Sequence, residues 1–184
     1  MARTRAELNR EDKMAEILEV AERRLRESGF EGLSMIGIAR ELGLAQNAIY
    51  WYFPSRAELF AAALRGILEG IAARKPRHST NIVERVLWFT DQFAPLYNLR
   101  PAMQEQAPES TAVAQFVREL DSLLERMLTN LFRERVRENE LPLAIDTFRA
   151  AVIGAYTQGL SRTRRRKLLA YTLEQQLDTV QPRR

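Results

Sequence analysis

Six polar or aromatic side chains able to meet nucleic acid fall within eleven positions: Gln46, Asn47, Tyr50, Trp51, Tyr52 and Arg56. Amide side chains pair bidentately with adenine in the major groove, so Gln46 and Asn47 have the chemistry of base readers. Hydroxyls, ring edges and a guanidinium suit the sugar-phosphate backbone, which is the place for Tyr50, Trp51, Tyr52 and Arg56. Out of context an aromatic cluster is more often core than contact, and two amides are ordinary solvated residues. The elements that position these side chains therefore decide.

Those elements read as short helices. A first helix carries Met14, Leu18, Ala21 and Leu25 on one stripe and stops at Ser28-Gly29-Phe30, where glycine takes the left-handed cap. Ser34 has the hydroxyl to cap a second helix, and Leu33 and Ile38 are spaced for a hydrophobic staple. Gly43 ends that helix, and a third covers roughly Gln46 to Trp51 before Pro54 breaks it. A fourth opens at Ser55 with Glu58 completing a capping box. Two short helices joined by a glycine turn are the geometry of a DNA-reading helix-turn-helix. Ala39 is small where the two must approach, Leu44 and Ile49 lock them, and Phe53 is the expected core member of the aromatic cluster. Arg3 and Arg5 form either a minor-groove arm or a frayed tail.

The 184 residues are 46% hydrophobic and 28% charged, with a net charge of +4 spread almost evenly about residue 75. Charge alone therefore does not name DNA. Without cysteine there is no disulfide framework and no thiolate metal site. His78, the single histidine, has no acid beside it for a catalytic triad, and no phosphate-binding glycine loop is present. No enzyme activity, metal or cofactor is expected. No apolar run approaches the ~20 residues of a membrane span, and the arginine-bearing N-terminus lacks the apolar core of a secretory signal. A cytoplasmic protein, associated with the nucleoid when bound to DNA, is expected.

Beyond a proline-broken linker at residues 74–80, helical spacing continues. One helix carries Ile82, Val86, Phe89, Phe93 and Leu96, and another carries Val113, Phe116, Leu120, Leu124, Met127 and Leu131. Pro101 and Pro108 bracket a piece of about two turns. Helices from about Asp146 to Leu160 and Lys167 to Val180 complete an all-α chain, with the basic run Arg162–Lys167 read as a solvated loop between them. The expected domains are 1–56, a helix-turn-helix, and 57–184, a helical bundle joined through a connecting helix of about 56–73.

The register of Gly29-Phe30, Ser34, Ile38-Ala39, Gly43-Leu44, Tyr50, Tyr52-Phe53 and Leu59 resembles the TetR family of transcriptional regulators across roughly residues 12–62. Three residues depart from it. Ala45 stands where the family usually has a capping serine, Gly37 where a helix-favouring residue is common, and Arg56 where lysine is common. The resemblance implies a homodimer on a palindromic operator in double-stranded DNA, read by Ser34, Ala45, Gln46, Asn47, Tyr50, Trp51, Tyr52 and Arg56. It implies a dimer interface on the last two helices, with Ala151, Gly154, Ala155, Gly159, Leu169 and Leu173 as candidates. It also implies an effector pocket among the central helices, lined by Trp88, Gln92, Phe93, Tyr97, Met103, Gln104, Phe116, Leu120, Tyr156 and Thr157. That lining suits an apolar or aromatic small molecule that releases a repressor from DNA. The alternative is a DNA-binding protein with no small-molecule effector, acting through a structural or partner-binding role.

Overall fold

A computed structural model describes residues 5–74 and 81–178. The described residues form eight α-helices and no strand: α1 (Arg5–Ser28), α2 (Met35–Glu41), α3 (Arg56–Ala72), α4 (Ile82–Gln92), α5 (Ala94–Gln106), α6 (Thr111–Phe132), α7 (Leu141–Thr157) and α8 (Arg162–Asp178). Three 3-10 turns lie between them, at Phe30–Gly32, Ala48–Trp51 and Glu138–Glu140. The all-α class expected from the spacing is the class observed. Arg3, His78 and Val180 lie outside the described residues.

The chain divides into two compact units, Met1–Ala73 with Leu99–Val117, and Arg74–Asn98 with Arg118–Arg184. In the first, α1 packs on both α2 and α3. Its buried stripe is Ile17, Ala21 and Leu25, four residues apart, whereas Met14 and Leu18 flank it half-buried. From α3, Leu59, Phe60, Ala63, Leu64 and Ile67 are buried, so the helix expected to connect domains is core to this unit.

In the second unit the core is built by Val86 and Leu87 of α4, Phe132 and Val136, Ala144, Ile145, Phe148 and Val152 of α7, and Leu169 and Leu173 of α8. Three expectations are corrected here. Helix α5 runs unbroken through Pro101 instead of stopping at it. Helix α7 begins at Leu141, not Asp146, with Pro142 in its first turn, where the missing N–H is not needed.

The third correction concerns the basic run, which is the first turn of α8 and not a solvated loop. Arg162 Nη2 and Arg166 Nη1 both reach Asp91 Oδ2, at 2.9 and 2.8 Å, and Arg166 Nη2 reaches Glu84 Oε2 at 2.9 Å. Arginines at a helix N-terminus oppose the helix dipole, and these acids of α4 offset that cost. The hydrogen bond and charge attraction to Asp91 raise the Arg162 guanidinium above its ordinary pKa.

Candidate nucleic-acid interface

Ser34 sits in extended conformation and its Oγ accepts the Gly37 N–H at 3.1 Å, capping α2 as expected. Leu33 and Ile38, the proposed staple, are fully buried. Gly43, at φ 65, closes α2: the Leu44 N–H reaches the Ala39 carbonyl at 2.8 Å and the Gly43 N–H reaches Arg40 at 3.2 Å. Those paired bonds are a Schellman cap. Ser55 then caps α3 through the Glu58 N–H at 3.1 Å.

The segment between differs from expectation. The reading helix is a single 3-10 turn, Ala48–Trp51, with the Ala48 N–H donating to Ala45 and the Tyr50 N–H to Asn47. Ala45 has no side-chain acceptor, and Asn47 at the cap position makes no side-chain cap bond. A missing cap costs ~1 kcal/mol, whereas each fully buried aliphatic side chain contributes ~1.5–3 kcal/mol. Fully buried Ile49 and buried Phe53 therefore hold the turn in place without the cap.

Burial sorts the aromatic cluster. Phe53 is core, Tyr52 is half-buried, and Ala45, Gln46, Asn47, Tyr50 and Trp51 are exposed. Trp51 is 79% exposed and Tyr50 44%; the only other large exposed apolar side chain of the first unit, among the described residues, is Ile36 at 45%. All three lie on α2 and the reading turn, which puts the exposed aromatic and apolar surface beside the two amides. Ile36 was missed by sequence reasoning, which gave α2 only a supporting role.

Arginines tie this head together through main-chain carbonyls. Arg10 of α1 donates to the Trp51 carbonyl at 3.3 Å. Arg24 donates to the Gly37 carbonyl at 3.2 Å and to Glu41 Oε2 at 2.8 Å, and Arg23 also bonds Glu41. The Arg24 hydrogen bond holds the Glu41 carboxyl below its ordinary 4.5. That depressed value means the interaction is at full strength above the ordinary pKa and is lost as pH falls through the lowered one. Gly37 is explained by the same contact, since a Cβ there would lie 2.8 Å from Arg24 Nη1. Arg56, expected at phosphate, donates to the Phe30 carbonyl and lies with its guanidinium carbon 3.9 Å from the Phe30 ring centroid.

The other candidates disperse. Met103, Gln104 and Phe116 fall in the first unit and the remaining seven pocket residues in the second. Gln104 and Thr157 are exposed; Phe93, Met103, Phe116 and Leu120 are buried; Trp88 is half-buried. Gln92 accepts from Arg74 at 2.6 Å. Tyr97 stacks on Tyr156 at 4.7 Å, Arg165 covers the Tyr156 ring at 4.4 Å, and the Tyr156 hydroxyl donates to the Thr90 carbonyl at 3.3 Å. Burial raises the Tyr156 pKa above 10. A depression of about 470 Å³ along α6, lined by Ser122, Glu125, Arg126, Thr129, Asn130 and Arg133, contains none of the ten.

Of the interface candidates, Ala155, Leu169 and Leu173 are spent inside their own unit, at 1%, 2% and 0% exposure, so they have no surface to give a partner. Ala151 packs on that core as well. Gly159, at φ 62, is the left-handed cap of α7, with the Leu160 N–H reaching the Ala155 carbonyl at 3.2 Å. A Cβ at Gly154 or at Gly159 would meet nothing, but only Gly154 has a backbone conformation that takes a side chain without strain. Among the described residues no three His, Cys, Asp or Glu side chains gather as for a metal, and no helix is long and apolar enough to cross a membrane.

Residues 17–63 match the family model of bacterial regulatory proteins, tetR family. An HTH-type transcriptional regulator of Mycobacterium tuberculosis is 44% identical over 55 residues, 30% of this chain. The chain spans about a quarter, 24%, of the length of the curated relatives it matches. A TetR transcription regulator from Haloarcula marismortui superposes with TM-score 0.68 at 22% identity, covering 92% of this chain and 98% of that one. A transcriptional regulator from Saccharomonospora viridis, solved with choline, superposes with TM-score 0.70 at 16% identity, covering 89% of this chain and 96% of that one. These likenesses extend the fold beyond the matched segment, and residues 17–63 carry the helix-turn-helix that matches the tetR family model.

Proposed function

We propose that the protein is a sequence-specific DNA-binding transcription regulator, acting as a homodimer and as a repressor released by a small molecule. The observation that carries this reading is the exposed surface of the helix-turn-helix. Gln46 and Asn47 stand there in front of exposed Tyr50 and Trp51, on a turn fixed from behind by Ile49 and Phe53. In this reading the two amides meet base edges, Ser34, Ala45, Tyr50, Trp51 and Tyr52 meet the backbone, and Arg56 has the separate role argued below. The domain division of the proposal puts reading in residues 1–56 and sensing and dimerisation in 57–184.

A palindrome needs two reading heads about one DNA turn apart. The second copy is proposed to seat on the outward face of α7 and α8, where Leu143, Leu168 and Tyr171 are 69%, 39% and 63% exposed and Gly154 leaves room. The effector is proposed to be an apolar or aromatic small molecule; choline is the ligand of the Saccharomonospora protein. The reading without an effector draws support from the Tyr97–Tyr156–Arg165 stack, in which the second unit's aromatic faces cover one another. On either reading the role is regulatory, not enzymatic, and belongs in the cytoplasm where the DNA is.

Selection of genomic fragments by the purified protein tests the proposal. The expected product is one inverted repeat with half-site centres about 34–36 Å apart, or a multiple. Recovery of unrelated fragments, bound no better than scrambled duplex, would sink it.

A further inference from the structure

We propose that Arg56 is a positioning residue that clamps the start of α3 to the turn between α1 and α2, and not an anchor for a DNA phosphate. Arg56 and Phe60 are four residues apart on α3, so they share one helix face, and both pack on Phe30. The Phe60 ring centroid is 4.7 Å from that of Phe30, at an interplanar angle of 55°. The Arg56 guanidinium lies over the Phe30 ring at 3.9 Å while its Nη2 donates to the Phe30 carbonyl. Its Nε is buried without a hydrogen-bond partner. The side chain as a whole is 39% exposed, so this edge, turned to Phe30, is the part the protein encloses. The ring and carbonyl therefore set its orientation, and the Glu31 carboxylate, 3.8 Å away but 90% exposed, adds little.

Only a planar guanidinium lies flat on a ring and donates in its own plane at once; a lysine ammonium is a point charge. This gives a reason for arginine where lysine is the commoner residue of the resembling family. The clamp acts on the reading turn because Trp51 is joined to Arg56 by four residues, Tyr52 to Ser55. Fixing the first residue of α3 against Phe30 fixes where the reading turn must end. A protein whose binding-competent arrangement is only partly populated binds more weakly by that fraction.

The inference rests on the DNA-reading role proposed above, and its test separates the two. Arg56→Lys and Arg56→Ala, each shown folded at the assay temperature by circular dichroism and melting, are titrated with the selected operator over a salt series. The clamp predicts that both lose operator affinity, by about tenfold if the competent fraction falls to about a tenth, with the salt slope of the unmodified protein. It also predicts that the Arg56 side-chain protons stay shifted by the Phe30 ring current when operator is added. A phosphate anchor predicts instead that Lys preserves affinity and that Ala lowers the salt slope by about one unit; that result overturns the clamp. Normal affinity and slope in both folded variants overturns it too, reducing the contact to one of stability. Absence of salt-dependent duplex binding by the unmodified protein overturns the regulator reading itself.

Discussion

The two compact units tie their helices with the same side chain used in different ways. In the first, Arg10, Arg24 and Arg56 donate to the main-chain carbonyls of Trp51, Gly37 and Phe30, and the carboxylate that Arg23 and Arg24 share, Glu41, is 36% exposed. In the second, Arg162 and Arg166 converge on one carboxylate, Asp91, which is only 12% exposed. A carbonyl belongs to the backbone and holds a turn, whereas a carboxylate belongs to one side chain and joins two helices. The helical glycines differ in kind. Gly37 of the head lies where a Cβ would press on Arg24, and Gly66 lies against the Glu22 carboxylate, while a Cβ at Gly70 of the head or Gly154 of the second unit would meet nothing. The open position at Gly154 is the place proposed for a second copy.

The largest expected effect breaks that last point. Gly154→Trp extends a ring from a position where a Cβ meets nothing in the protomer, so sedimentation should show a folded monomer that binds operator without the two-headed affinity of the dimer. A mutant dimer with normal operator binding would move the interface elsewhere.

Next in size is the carboxylate. Asp91→Ala removes the carboxylate shared by Arg162 and Arg166 and should cost about 1–2 kcal/mol in denaturant unfolding, since Arg162 is 72% exposed and Arg166 keeps Glu84. Glu84→Ala, removing a 57% exposed partner of Arg166, should cost ~1 kcal/mol or less. Equal losses would mean that convergence on Asp91 does not hold α8 to α4.

The smallest effect is a difference in sign. Gly70→Ala on α3, where a Cβ meets nothing, should stabilise by ~0.5–1 kcal/mol through helix propensity. Gly37→Ala has the same propensity gain, but displaces Arg24 from the Gly37 carbonyl and crowds Ser34 at 3.2 Å. The net should be a loss of ~1 kcal/mol or less. Melting of both variants checks it, and a gain at residue 37 would mean that Arg24 does not anchor α2.

What was legible in the sequence was local. Ser34, Gly43 and Ser55 act within three to five residues of themselves, so their caps and turn were readable from spacing, as was the burial of Leu33, Ile38 and Phe53. The arginine contacts were not, because Arg56 reaches 26 residues back and Arg10 reaches 41 forward. Asp91 lies 75 residues from Arg166, which is why the basic run looked like a solvated loop. Small residues on the penultimate helix carried no sign of direction: Ala155 turned inward and Gly159 capped the helix. The tight 3-10 form of the reading turn left only a trace in the sequence, the alanine at position 45 where a capping hydroxyl was expected.

The central claim is that residues 46 and 47 read bases from this turn. Binding curves for Gln46→Ala and Asn47→Ala, on the selected operator and on scrambled duplex of equal length, test it most directly. The account predicts that at least one substitution costs ~1–3 kcal/mol on the operator, little on scrambled DNA, and relaxes preference at one or two symmetric positions. Two variants that both keep the full preference for the operator would contradict it.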